Sequence, residues 1–175
     1  MSFENLQYAI YKGKGGNFGA MQFSLQKPHF YNGKQKDFTG EVALDENRKL
    51  REGWRQREGC VFLEITSTKE KDVYDWENKI TMALSVNDLG KVLMGLMTGN
   101  EVKIMHDPGA KTDTAGTVQK YLGITSPNGT QEGCFFSASQ INGDIQKRHR
   151  VPVSGEELIV LRTLLQGAIS ISLGW

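Results

Sequence analysis

Lys12 and Lys14 flank a glycine and stand close in sequence to Phe18, Met21 and Phe23. Tyr74 and Trp76 stand in the same way beside Lys79, and residues 146–150 read Gln-Lys-Arg-His-Arg, with Arg148 and Arg150 in that basic run. Cations interleaved with aromatic and long apolar side chains suit one kind of non-catalytic chemistry. The charges follow a phosphate backbone, and the flat or flexible side chains stack on unpaired bases. Each cluster also has a second reading. Met21 and Phe23 alternate with polar neighbours and equally fit the buried face of a strand. Trp76 equally fits a structural anchor, Lys12 and Lys14 a solvated loop, and residues 146–150 a solvated strand edge.

Other chemistries find little support. The glycine-rich Gly13-Lys14-Gly15-Gly16 is not followed by the Gly-Lys-Ser/Thr of a phosphate-binding loop, and no βαβ unit surrounds it. His29, His106 and His149 lack metal-ligand spacing with a cysteine or carboxylate, so neither a metal nor another cofactor is expected. His106-Asp107-Pro108 contains a His-Asp pair, but no serine or cysteine nucleophile is signalled beside it; it reads as a turn closed by Asp107. The expectation is therefore a protein without catalytic residues and without a small-molecule substrate.

The elements that must position these residues follow from pattern and punctuation. The chain has 175 residues, enough for one domain spanning 1–175, and a formal net charge of +1. Near-neutrality means that nucleic-acid binding depends on charges sorted onto one face. Cys60 and Cys134 each sit in an apolar run and read as reduced core thiols. No apolar run reaches membrane-spanning length, so no membrane partner is expected. Residues 1–7 look like neither a secretory signal nor a transit peptide, which favours a cytoplasmic protein of bacterial or viral source over a plant organelle.

Period-two alternation marks strands near 8–12, 21–25, 60–65 and 78–84, with a polar excursion at 28–58 that holds a short helix near 46–54. Ser85 and Asp88 form a capping box that opens a helix, which Gly99 and Asn100 stop. Four more strands follow near 101–106, 117–124, 134–140 and 146–153, with a Pro-Asn-Gly hairpin loop at 126–133. Ser154 and Glu157 cap a last helix that is apolar almost all round, through Leu158, Leu161, Leu164, Leu165 and Ala168 among others. Such a helix buries more than one face, and one sheet covers only one of them. Leu161, Leu164, Leu165 and Ala168 are therefore expected at a subunit interface, some of them facing the sheet.

Several stretches resemble the Whirly family of single-stranded-DNA-binding proteins. They are Tyr74-Asp75-Trp76, Leu84-Ser85-Val86, His106-Asp107-Pro108, Phe135-Phe136, Val151-Pro152-Val153 and the closing Leu173-Gly174-Trp175. Lys12-Gly13-Lys14 resembles the opening of the family's Lys-Gly-Lys-Ala-Ala motif, although Gly15 to Gly19 depart from it, and 28–58 reads as an insertion. The resemblance implies an α+β fold. Two antiparallel four-stranded sheets pack across each other with two helices, as ββββα twice, in a homotetramer whose helices meet at the centre. It implies sequence-tolerant binding of single-stranded DNA, acting in replication, recombination or repair. The alternatives are an RNA-annealing chaperone of the guide-RNA-binding type and an oligomeric scaffold that binds no nucleic acid.

Overall fold

The computed structural model describes residues 7–13, 18–110, 112–129 and 132–174. Lys14 lies outside them. Among the described residues twelve strands and two helices follow in order: β1 (Gln7–Tyr11), β2 (Gly19–Gln26), β3 (His29–Asn32), β4 (Gln35–Asp37), β5 (Arg55–Arg57), β6 (Cys60–Glu70), β7 (Val73–Tyr74), β8 (Ile80–Leu84), α1 (Val86–Thr98), β9 (Val102–His106), β10 (Val118–Thr125), β11 (Cys134–Asn142), β12 (Ile145–Val153) and α2 (Gly155–Leu173). One 3-10 turn, Trp76–Asn78, separates β7 from β8. Among the described residues no helix is long and apolar enough to cross a membrane.

The two halves share one plan. In the first sheet β1, β2, β6 and β8 pair in that order, all antiparallel, with the two-residue β7 added on β6 beyond β8. In the second, β9, β10, β11 and β12 form an antiparallel meander. A helix follows each of these two antiparallel sheets, as expected, but eight strands rather than four precede the first helix. The expected pair of four-stranded sheets needs correction: β7 makes the first sheet five-stranded, and the excursion folds as a third sheet of three strands, β4-β3-β5.

Alternation on the strands builds the core. Met21, Phe23, Leu63, Ile65 and Met82 from the first sheet meet Ile104, Leu122, Ile124, Phe136 and Val151 from the second in one continuous cluster. Phe23 and Phe136 meet edge to face with centroids 6.1 Å apart. Both capping boxes form. The Ser85 hydroxyl accepts the Asp88 N–H at 3.2 Å, and the Glu157 carboxylate accepts the Ser154 N–H at 2.8 Å. Gly99, at φ 79°, ends α1 in the left-handed region that favours glycine.

α2 resolves its own ambiguity. Leu161, Leu165 and Ala168 are 0%, 2% and 7% exposed and belong to the protomer's own core, which corrects their assignment to an intersubunit face. They point at the sheet because their spacing follows one helical stripe with Leu158. Leu164 stays 45% exposed, together with Ile159 at 65% and Val160 at 44%. The Arg162 guanidinium donates to the Leu96 carbonyl in the last turn of α1.

The short helix expected near 46–54 is absent. Its residues make turns instead: the Asp45 carboxylate accepts the Asn47 and Lys49 N–H groups at 2.9 and 2.8 Å, and Arg48 and Gly53 take positive φ values of 60° and 79°. An aspartate that bonds its own downstream backbone competes with helix formation.

Candidate nucleic-acid interface

Strand pleat decides which side chains each sheet offers to the outside. On the second sheet the outward set forms two cross-strand rows. Register places Met105, Tyr121, Ser139 and Arg148 in one row, and Lys103, Gly123, Ser137 and Arg150 in the next. Together they line an open trough of about 750 Å³. Its rim holds one aromatic ring, a methionine and three cations; its floor holds glycine and two serines. The guanidinium of Arg150 lies over the Phe135 ring, 3.9 Å from the centroid. Lys103 has only an exposed neighbour, Glu101, at 3.0 Å. Arg148 is in no ion pair among the described residues.

The first sheet's outward face is different. Ala9, Gln22, Glu64 and Thr81 stand in one row and Gln7, Ser24, Phe62 and Ala83 in the next, nearly all neutral. Of these two outward faces, the second sheet's is the one that carries a cluster of cations, Lys103, Arg148 and Arg150.

His149 joins the two regions. Its Nδ1 meets the Ser67 hydroxyl at 2.7 Å, and its Nε2 meets the Asn78 carbonyl at 2.9 Å, which fixes the proton on Nε2 in the neutral ring. The turn that begins at Trp76 is therefore held beside β12 through His149, whose side chain points to the opposite face of that strand from Arg148 and Arg150. Lys120 adds a second tie, donating to the Thr81 carbonyl at 2.8 Å, and its burial lowers its pKa.

Each sequence-proposed residue can now be placed. Tyr74 is half-buried and packs on Tyr11, with centroids 5.2 Å apart; burial and then Asp72 raise its pKa. Phe18 is 40% exposed at the same end of the first sheet, where its carbonyl accepts the Thr68 N–H at 3.0 Å. Trp76 is half-buried in its turn, neither sealed in the core nor free. Met21 and Phe23 are corrected: at 0% and 5% exposure they are core, and neither can reach a base without unpacking the sheets. Lys12 and Lys79 are surface cations with assigned partners, Glu157 at 2.8 Å and Glu64 at 2.7 Å. Lys12 thereby ties the end of β1 to the cap of α2. Burial opposes ionisation of Glu157, but Lys12 and the Ser154 N–H outweigh it and lower its pKa.

Sequence reasoning missed Tyr121, Met105, Lys103 and Phe135. The signal was the phase of β10 and β11. Leu122, Ile124, Phe136 and Ala138 must face the core, so Tyr121, Gly123, Phe135 and Ser137 must face out. His106 does not work with Asp107. Its Nε2 meets Asp88 at 3.0 Å, while Asp107 accepts the Gly109 and Gly116 N–H groups at 2.9 and 2.7 Å and closes a loop. Both cysteines are free, and burial pushes the Cys134 thiol up to about 12.

Comparison with known proteins follows the same lines. The family model described as Whirly transcription factor matches residues 10–164. The single-stranded DNA-binding protein WHY2, mitochondrial, of Arabidopsis thaliana is 32% identical over 172 residues, covering 96% of this chain and 63% of that protein. The single-stranded DNA-binding protein WHY1, chloroplastic, of Solanum tuberosum is 30% identical over 172 residues, covering 96% of this chain and 54% of that protein. The chain thus spans less than two thirds of the length of these relatives. The crystal structure of WHY1 from Arabidopsis thaliana superposes with a TM-score of 0.78 at 23% identity, covering 100% of this chain and 89% of that one. That of the plant transcriptional regulator PBF-2 gives 0.74 at 25%, covering 100% and 86%. The mitochondrial and chloroplastic relatives overturn the cytoplasmic, bacterial or viral setting expected from residues 1–7. Leader features say little about compartment, because a targeting segment is removed from a mature chain.

Proposed function

The chain belongs to the Whirly family, and on that premise we propose that it binds single-stranded DNA along the outward face of the second sheet. The observation that carries this reading is the pair of cross-strand rows, in which Tyr121 and Met105 stand beside Lys103, Arg148 and Arg150 over a floor of Gly123, Ser137 and Ser139. Aromatic and thioether side chains offer bases a sequence-tolerant surface, and the cations track phosphates. Tyr74, packed on Tyr11, and Phe18 offer unpaired bases a second aromatic group at one end of the first sheet, near the turn with Trp76 that His149 holds at β12.

The exposed row Ile159, Val160 and Leu164 on α2 is the apolar surface we assign to self-association. Covering it in a closed symmetric assembly removes the cost of exposure, and a homotetramer would join four separate troughs into a longer track. The relatives' names suggest an organelle setting, and handling of exposed single strands during replication, recombination or repair is the role that fits sequence-tolerant binding.

Gly123 offers the sharpest test. A Cβ built there meets only the Ser137 carbonyl oxygen, at 3.9 Å. Gly123→Val is thus compatible with the strand and favoured by β-propensity, yet it fills the trough floor. Unchanged thermal stability with weakened binding of single-stranded DNA supports the site; unchanged binding removes it. Single-stranded RNA in the same titration separates the annealing-chaperone alternative, and no binding to any strand would favour the scaffold.

A further inference from the structure

The three-stranded sheet inserted between β2 and β6 has a charge pattern of its own. β2 and β6 pair through Gln26 and Cys60, and β3 and β5 resume the pairing at His29 and Arg57 with register kept. The small sheet is therefore a continuation of the β2–β6 ribbon past a break at Lys27-Pro28 and Glu58-Gly59, with β4 added to β3. Pleat and register sort its side chains. One face carries Phe30, Asn32, Gln35, Asp37 and Gln56; the other carries His29, Tyr31, Lys36, Arg55 and Arg57.

The first of these faces is closed. Phe30 lies against the segment around Gly40 and Leu44. The Asp37 carboxylate accepts the N–H groups of Thr39, Gly40, Val42 and Ala43, each at 2.9 Å, so the only acid on the three strands is consumed by backbone. The opposite face is open at its outer end. Tyr31 is half-buried, with Lys36 directly across on one side and Arg55 directly across on the other; Arg57 is the diagonal neighbour. All three cations are exposed and none is in an ion pair among the described residues. Phe38, 55% exposed, packs on the His29 ring beside them.

Directly paired side chains on one face stand roughly 5 Å apart, so an aromatic ring sits between two like charges with no counter-charge. That arrangement is unfavourable alone and becomes favourable when an anion joins it. A polyanion with flat groups fits it: phosphates meet Lys36, Arg55 and Arg57 while a base meets Tyr31. We infer that the ribbon extension is an auxiliary contact for single-stranded nucleic acid, separate from the trough on the second sheet. The inference rests on the single-strand reading above and adds a second contact to it. Tyr31 stands on the ribbon that continues the first sheet and the trough lies on the second, so a strand that engages both must be longer than one that fills the trough alone.

The test uses the full chain with Lys36→Gln, Arg55→Gln and Arg57→Gln combined, and separately Tyr31→Ala. Affinity is titrated against oligo-deoxythymidine on the order of 8 and of 30 nucleotides, at several salt concentrations. The expected result for the triple variant is unchanged thermal stability, unchanged affinity for the short strand and a loss of about tenfold or more for the long one. Its log–log salt slope for the long strand falls by about 2, from three lost phosphate contacts. Tyr31→Ala weakens only the long strand and leaves the slope alone. Wild-type affinity and slope for the long strand in the triple variant overturn the inference. Equal losses at both lengths overturn the auxiliary role by placing the ribbon inside the primary site. If the unaltered protein binds neither length, the single-strand reading itself fails, and the auxiliary contact with it.

Discussion

Arg150 and Phe135 are diagonal neighbours on adjacent strands, and the guanidinium carbon of one stands 3.9 Å from the ring centroid of the other. The stack holds a planar cation flat on the outward face of the second sheet. Its free N–H groups are left for a phosphate, and its lower side is already satisfied by the ring. Arg150→Lys keeps the charge and loses the planar stack. It should weaken single-strand binding while leaving the salt slope nearly unchanged, whereas Arg150→Gln should reduce both. Fluorescence titration at three salt concentrations distinguishes them; identical slopes for wild type and Arg150→Gln would remove Arg150 from the phosphate track.

Tyr121 should act as a base platform. Tyr121→Ala is expected to cost about 1–3 kcal/mol of binding free energy, and Tyr121→Phe much less, because stacking needs the ring and not the hydroxyl. Equal losses in the two variants would mean that the hydroxyl, which donates to Gln119 at 2.7 Å, carries the effect.

The exposed row on α2, proposed above for self-association, can be tested apart from folding. Leu165→Glu buries an unpaired charge in a site 2% exposed and should unfold the protein. Leu164→Glu sits at a site 45% exposed. It should leave the circular dichroism spectrum intact, convert the assembly to smaller species in sedimentation and lower affinity for long strands. A wild-type sedimentation profile for Leu164→Glu would take this row out of the interface.

Much of this was legible in the sequence, and the reasons are specific. Both capping boxes were readable because Ser85 with Asp88, and Ser154 with Glu157, are local signals that need no tertiary partner. The second meander was readable because its strands alternate cleanly. The folded excursion was not: β3 pairs with β5 across more than twenty residues, and the Asp37 and Asp45 turns that set its path depend on backbone geometry. The site was half legible. Clusters of cations and aromatics pointed to the chemistry proposed above, but which side of each strand faced out was decided by packing. Met21 and Phe23 went inward opposite Phe136, and Tyr121 went outward. The partners of Lys12 and Lys79 are likewise non-local, at Glu157 and Glu64.

Asp37 gives a pH prediction for the insertion. Burial favours its neutral form, but the amides of Ala43, Thr39, Gly40 and Val42 outweigh that and hold its carboxyl well below the usual carboxylate range. A depressed folded value means the stabilisation is complete above the ordinary value of about 3.9 and is lost as pH falls below it towards the folded value. The Val42 and Ala43 amides should therefore lose hydrogen-exchange protection in acid before the β2–β6 ladder does, and Asp37→Asn should show that loss at neutral pH. Equal protection of both amides in Asp37→Asn and wild type would contradict this role.

The central claim is preference for a single strand, and a competition titration tests it most directly. Labelled oligo-deoxythymidine bound to the full chain is displaced, at one fixed salt concentration, by unlabelled single-stranded DNA, by duplex DNA of equal length and by single-stranded RNA. A flat trough with an exposed Tyr121 and cations along its rim can take unpaired bases on their faces, which a duplex hides. Single-stranded DNA should displace the label at concentrations at least about tenfold lower than duplex, with the advantage reduced in Tyr121→Ala. Duplex that competes as well as the single strand would contradict the account.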